Sequence, residues 1–303
     1  MSDQTPSVTG ADETMPPVEE RSLLDQALAF AEAKKITLPV FSDVALKVQK
    51  ASREERYDIG EIEKAIESDP VLVAEVLRAS NSAFFGGLTQ VSSIRNAVLR
   101  LGLQRVTNLV FLASEKSRYN ARHPDIATLM RDLWHHSSAC AMAAEWIARK
   151  VRFPQHGETV FIGALVHDIG KLFLLRVLDD MSREPEYASV VSMELVRELL
   201  DNAHTEVGYR LLTSWHLPEV YQSIVRDHHV EAPDPANVPL QIVRLANHAC
   251  NKVGIGLHPQ PDLVLGAVRE AGTLGMSEIA IAELEIILED VMAQSMAASF
   301  AIG

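Results

Sequence analysis

The sequence predicts an all-α protein, and three observations carry that expectation. Apolar residues recur at helical spacing from about Leu23 onward, the pair Asp69-Pro70 has the form of a helix start, and no alternating stretch is long enough to argue for a sheet. The 303 residues supply chain for about two domains or one large one. With 47% apolar and 23% charged residues, that chain can bury a full core.

Taken in order, residues 1–21 combine prolines, acids and Ser/Thr with almost nothing to bury, which reads as a disordered tail. Residues 22–116 are expected to form a lobe of short helices. Within it Asp69 can cap and Pro70 can occupy the first turn of a helix that continues through Val71, Ala74 and Leu77. Asn81, Phe84 and Phe85 follow and are expected to cap and pack locally, the alternative being a docking surface. The polar segment SRYNARHPDI (117–126) separates this lobe from a second helical block, 126–303, which holds most of the histidines. Loops are expected at 231–238 and 254–264. A last helix from about Ser277 carries Ile279, Leu284, Ile287, Val291 and Met292 as an apolar stripe. No internal repeat is evident.

Composition excludes several classes of function. The 28 Lys and Arg against 41 Asp and Glu leave a net charge of −13, which repels a phosphate backbone and disfavours direct nucleic-acid binding. Cys140 and Cys250 have no CxxC spacing, which sets aside a disulfide framework and fits a reducing compartment. The most apolar run, Val160 to Leu178, is interrupted by His167, Asp168, Lys171 and Arg176, and no signal peptide is visible; a cytoplasmic protein without membrane contact is expected.

The histidines occupy positions where apolar residues belong. Ala139/Cys140, Ala143 and Ile147 project back onto His136, and Val207/Gly208, Leu211 and Trp215 onto His204. Tyr221, Ile224 and Val225 project forward onto His228, with His229 beside it. Leu240, Val243 and Cys250 share a face with Asn247, and ALVHDIGK puts His167 and Asp168 at the end of an apolar run. One inward histidine is ordinarily a core residue bonded to a backbone carbonyl. Five inward segments and a carboxylate each need a partner, and one shared metal or polar site would satisfy them all. Imidazole and carboxylate suit Fe, Mn, Co or Zn, and the absence of thiolates from the set argues against a soft-metal site. His123, His156 and His258 lie in polar or Pro-flanked stretches and are expected in solvent. Trp134, Trp146 and Trp215 are expected in the core.

The order His136, His167-Asp168, His204, His228-His229 resembles the HD superfamily of metal-dependent phosphohydrolases. LPVFSDVALKV (38–48), SDPVLVAEVLRASNSAFFG (68–86), SIRNAVLRLG (93–102), LWHHS (133–137), AHTEVGYRLLTSWHLP (203–218) and DHH (227–229) narrow the resemblance to an HDOD domain, an HD-related output domain of bacterial signalling proteins. The resemblance covers about residues 22–255 and implies an HD-type helical bundle preceded by a smaller helical lobe. It further implies His136, His167, Asp168 and a final acid on one metal, with Asp168 bridging to a second held by His204, His228 and His229. Two such ions clamp a phosphate and generate hydroxide from water. Lys171 would then contact a phosphate oxygen, unless it is simply a solvated lysine at a helix end.

Two departures from that pattern stand out. Asn247 occupies the position of the final acid, and a neutral carbonyl oxygen is the poorer ligand, so one divalent ion (Fe, Mn or Zn) is expected rather than two. The text after His229 lacks the Gly- and Tyr-containing motif of the HD-GYP cyclic-di-GMP phosphodiesterases. The expected function is a bacterial signal-transduction output or regulatory module with a degenerate metal site and little or no catalysis. The alternative is a metal-dependent phosphohydrolase acting on a nucleotide or cyclic dinucleotide, with Asp168 and Lys171 catalytic. The expected partners are signalling proteins or a nucleotide ligand.

Overall fold

A computed structural model describes residues 22–38, 41–52, 58–81, 90–187 and 191–300, with side chains up to residue 290. The expected tail at 1–21, and Phe84 and Phe85, lie outside the described residues, as do the side chains of Val291 and Met292. The first helices are α1 (Leu23–Ala33), α2 (Asp43–Ser52), α3 (Ile59–Glu67), α4 (Pro70–Ser80), α5 (Ile94–Leu101) and α6 (Leu103–Glu115). After a 3-10 turn and a short connection come α7 (Pro124–Lys150), α8 (Gly157–Val166), α9 (Ile169–Met181), α10 (Met193–Ser214) and α11 (Glu219–Asp227). The chain ends in α12 (Val238–Lys252), α13 (Arg269–Thr273) and α14 (Glu278–Phe300). No strand occurs among the described residues, so the fold is all-α.

Local chemistry sets the helix starts. Asp69 Oδ1 accepts from the amides of Val71 and Leu72 at 2.9 and 3.3 Å, with Pro70 in the first turn. Ser93, Ser192 and Asn237 cap α5, α10 and α12 in the same way. Gly102, at φ +85°, lets α5 stop and α6 begin without an intervening loop. Asn81 bonds the carbonyl of Leu77 and, through both ends of its amide, the backbone of Val91, stapling the end of α4 to the entry of α5.

Two large apolar clusters and a small third one of Val166, Leu212 and Val225 make the interior. The larger joins α2–α6 to α7, α8, α12 and α14 through residues such as Val48, Ile62, Val76, Phe111, Ile147, Phe161, Leu245 and Leu284. The smaller joins α1 to α9, α10 and the first half of α7 through Phe30, Met130, Leu133, Leu172, Leu175 and Leu200. Helix α7 runs through both: Ile126–Leu133 belong to the smaller cluster and Ala139–Ala148 to the larger. His136 falls at the changeover, and so does the α8–α9 junction that carries His167 and Asp168.

Two stripes differ in phase from the sequence expectation. In α4 the buried face is Leu72 and Val76, while Val71, the second residue after the cap at Asp69, is 67% exposed. In α14 Ile281, Leu284 and Leu288 face the core and Ile279 is 74% exposed; spacings of three and four residues select that trio over one beginning at Ile279. Trp134, Trp146 and Trp215 pack against the core, as expected.

Glu115, at the end of α6, is buried, and burial pushes its carboxyl up to about 7 despite Arg118 at 3.2 Å. The unfolded chain releases this proton near pH 4.5, so between about pH 4.5 and 7 the folded state holds more protons and stability falls as pH rises. Full ionisation costs the fold about 3 kcal/mol. Glu115→Gln is therefore expected to raise the unfolding midpoint at about pH 8 and leave it unchanged near about pH 4. Equal shifts at both pH values would exclude charge burial as the cause.

Candidate metal centre

The centre is built on the junction of α8 and α9. His167 follows the last residue of α8 and Asp168 is the N-cap residue of α9, so the two adjacent side chains leave one tight turn. Gly170 lets α9 approach α10 at backbone distance. A Cβ there would lie 1.9 Å from the carbonyl oxygen of His204 and 2.8 Å from the amide nitrogen of Gly208. That contact brings Asp168 against His204.

Four imidazoles share one orientation. Nδ1 of His136 lies 2.9 Å from the carbonyl of Ile255, Nδ1 of His167 2.6 Å from that of Ala164, and Nδ1 of His204 2.6 Å from that of Leu200. Nδ1 of His228 faces the carbonyls of Val225 and Ile224 at 2.9 and 3.2 Å. A carbonyl only accepts, so each Nδ1 carries the hydrogen and each Nε2 presents a lone pair. All four Nε2 atoms point at Asp168. His136 and His167 lie 3.8 and 3.4 Å from Oδ2, whereas His204 and His228 each lie 3.5 Å from Oδ1. His229 joins the Oδ1 side, its ring 4.2 Å from that of His228, and the ligand atoms of Asp168, His204, His228 and His229 all lie within 4.8 Å of one another.

This arrangement fits a bound cation. Nε2 of His204 and Nε2 of His228 face each other at 3.3 Å, two lone pairs with no hydrogen between them. His167 Nε2 and Asp168 Oδ1 are buried and have no hydrogen-bond partner among the described residues. Tetrahedral ligands on a zinc-sized ion stand ~3.3–3.4 Å apart for nitrogen and oxygen, close to the separations observed. Burial pushes His167 down to about 3 and His204 to about 4, and it lowers His136 as well, so these rings are neutral near pH 7, as metal ligation requires. Burial alone would raise the Asp168 carboxyl; Lys171, His167, His228 and His204 outweigh it and hold the group well below the usual carboxylate range.

Of the residues singled out in the sequence, His136, His167, Asp168, His204, His228 and His229 meet at this point. Lys171 is not solvated: it is 5% exposed, with Nζ 2.9 Å from Asp168 Oδ2. Asn247 lines the same cavity, but its Oδ1 accepts from Asn251 at 3.2 Å. The cavity, about 260 Å³, opens toward Asp201, Leu257 and Gln260, and His258, expected in solvent, pairs with Asp201 at 2.7 Å on its rim.

Other participants escaped sequence reasoning. Arg244 donates to the carbonyl of His228 at 2.7 Å and to Glu270 at 2.5 Å, holding the His228-His229 turn from behind. Gly256, at φ +127°, carries the loop past His136; a Cβ there would sit 2.6 Å from Nδ1. Cys140, read as part of an apolar stripe, packs against the His136 ring, its Sγ 3.6 Å from Nε2 and 3.9 Å from Nδ1. Its signal was the interval of four residues from His136.

A helical bundle with an adjacent His-Asp pair at a helix junction and further imidazoles closing on the aspartate defines an HD-type protein. The HDOD domain model matches residues 38–231, and the chain belongs to that family. In its fold it is similar to an HDOD domain protein of unknown function from Geobacter sulfurreducens (TM-score 0.66, 22% identity, 91% of this chain and 97% of that one). It is also similar to a protein from Shewanella amazonensis SB2B provisionally described as a metal-dependent phosphohydrolase (TM-score 0.62, 20% identity, 89% and 97%). A third likeness is to a provisionally described signal transduction protein of Marinobacter aquaeolei VT8 (TM-score 0.57, 20% identity, 92% and 62%). An uncharacterized protein of Treponema pallidum (strain Nichols) is 23% identical over 216 residues, 69% of this chain; the chain matches 41% of that curated relative's length. No described helix is long and apolar enough to cross a membrane.

Two substitutions test the scaffold of the centre. Gly170→Ala is expected to cost at least about 2 kcal/mol, because backbone cannot yield to the new methyl. Gly157→Ala, whose Cβ would meet nothing within 4 Å, should shift stability by less than about 1 kcal/mol in the same urea titration. Glu270→Ala leaves the Arg244 guanidinium buried without its counter-charge and is expected to cost about 3–5 kcal/mol. A change below about 1 kcal/mol would show that Arg244 finds another partner.

Proposed function

We propose that the chain is a regulatory module of bacterial signal transduction whose HD-type pocket holds a divalent transition metal and turns substrate over slowly or not at all. The observation that carries this reading is the unequal state of the pocket's two sides. Around Asp168 Oδ1, the donors His204, His228 and His229 are gathered. Around Oδ2, Lys171 takes the carboxylate oxygen, and Asn247 stands where the HD pattern has its last acid. A two-metal hydrolase shares one carboxylate between two ions. Here a protein ammonium already engages one of its oxygens.

When bound, the metal supplies a Lewis acid able to polarise a phosphoryl oxygen. The chain's own residues do the remainder. Asp168 and the Nε2 atoms of His204 and His228 would hold the ion, with His229 beside them. Backbone carbonyls fix the ring orientations, and Lys171 keeps Asp168 ionised. The helices at 22–116, which a minimal hydrolase does not need, support a role in contact with other signalling proteins; a nucleotide ligand is the other partner the reading admits. The net charge of −13 weighs against nucleic acid as the partner.

A second reading, a metal-dependent phosphohydrolase, is favoured by one specific feature: the cavity opens onto the donors with Lys171 and His229 in its wall. Elemental analysis of the full chain purified without chelator, followed by a phosphoester screen with that metal restored, separates the two. Bound transition metal with turnover well below about 1 per second is expected. Hydrolysis at about 1 per second or faster, abolished by Asp168→Ala, would overturn the regulatory reading in favour of the enzyme. Absence of bound metal would overturn both.

A further inference from the structure

Beyond the metal donors, the cavity has an outer half of different chemistry, and a loop builds it. Gly254 and Gly256, at φ +83° and +127°, turn the chain back after α12, and the Gln260 amide donates to the Asn251 carbonyl at 2.7 Å. Leu257, His258 and Gln260 are thereby set into the cavity wall, and His258 meets Asp201 of α10 at 2.7 Å on the rim.

The inner wall offers donors. Asn247 is 6% exposed and its oxygen accepts from Asn251, so its NH2 group is left for the cavity, without a partner among the described residues. Lys171, in the same wall, gives one ammonium hydrogen to Asp168 Oδ2 and keeps the others. Two buried donors beside a divalent ion suit a group with several anionic oxygens, such as a phosphoryl group. The outer wall offers acceptors: the second oxygen of Asp201 and the side-chain oxygens of Asn251 and Gln260, all unpartnered among the described residues. Such acceptors take hydroxyl hydrogens.

Size and composition narrow the class. The volume of about 260 Å³ lies below the about 300–1,000 Å³ of pockets that enclose drug-sized ligands, which leaves no room for a cyclic dinucleotide. The described lining holds no Phe, Tyr, Trp or Arg, the side chains on which a nucleobase stacks.

We propose that this cavity binds a compact, polyhydroxylated phosphomonoester, with its phosphoryl group beside the metal centre on Lys171 and the Asn247 amide and its hydroxyls on Asp201, Asn251 and Gln260. Asn247 then serves the ligand: an acid at that position would repel the phosphoryl group, and the amide donates to it. The inference rests on the reading of the pocket as a metal site, and it names the small ligand that a module of low turnover senses.

The test is isothermal titration calorimetry of the metal-loaded full chain with inorganic phosphate, glucose 6-phosphate, adenosine monophosphate and cyclic-di-GMP. Glucose 6-phosphate is expected to bind at least about tenfold more tightly than each of the others. Asn247→Asp keeps the oxygen that accepts from Asn251 and should weaken glucose 6-phosphate and inorganic phosphate alike by at least about tenfold, with bound metal retained. Gln260→Ala, at the exposed rim, should weaken glucose 6-phosphate about fivefold and leave inorganic phosphate unchanged. Equal or tighter binding of adenosine monophosphate or cyclic-di-GMP, full affinity in Asn247→Asp, or metal-loaded protein that binds no probe overturns the proposal and leaves the metal reading standing. Metal analysis that finds no bound ion overturns both. If Asn247→Asp does not fold, Gln260→Ala decides: a loss confined to glucose 6-phosphate supports the proposal, and an equal loss for both probes, or none, overturns it.

Discussion

A buried carboxylate sets the terms for this molecule. Asp168 is 3% exposed, and an ionised group removed from water is tolerated only where opposite charge and hydrogen bonds replace the lost hydration. Lys171 answers one oxygen, while the other faces only ring nitrogens with lone pairs. The imidazoles cannot relieve this by taking protons, since burial drives the same rings toward their neutral form. What burial does to the carboxylate and what it does to the imidazoles therefore both suit a cation among the Nε2 atoms.

The rest of the fold holds that arrangement in place. The centre lies on the seam between two apolar clusters, and α7 and the α8–α9 junction cross it. A polar group at such a seam is reached by several helices at once, so each ring can be braced by a carbonyl of its own helix or of a neighbouring loop. Gly170 on α9 and Gly208 on α10 leave out the side chains that would keep the two helices apart.

The sequence makes the inward direction of His136, His204 and His228 legible because each extends an apolar stripe at helical spacing, and direction on a helix follows from interval alone. The absolute phase of a stripe does not. It depends on where the first turn begins: Val71 and Ile279 point outward, and Leu72 and Ile281 point in. Lys171 illustrates a second limit. A lysine three residues after an aspartate reads equally as solvated, and only the tertiary burial of both turns it into the partner of Asp168. Arg244 and Glu270, 26 residues apart, carry no periodic mark of their pairing. Cys140 reads as a small apolar residue of its stripe, and only the fold sets its sulfur against the His136 ring.

The HDOD model match ends near the last ligands, and the bracing of the site does not. The HDOD match closes at residue 231, after His228 and His229, yet the carbonyl that fixes His136 belongs to Ile255 and the side chains that fix the His228 turn are Arg244 and Glu270. Orientation of His136 and of the His228 turn therefore draws on a later stretch of the chain, while His167, His204 and His228 keep carbonyl partners inside the match. A ring whose Nδ1 lost its carbonyl could turn or change tautomer, and its Nε2 would no longer present a lone pair to Asp168. The segment after residue 231 thus adds bracing to His136 and to the His228 turn that the matched residues do not supply.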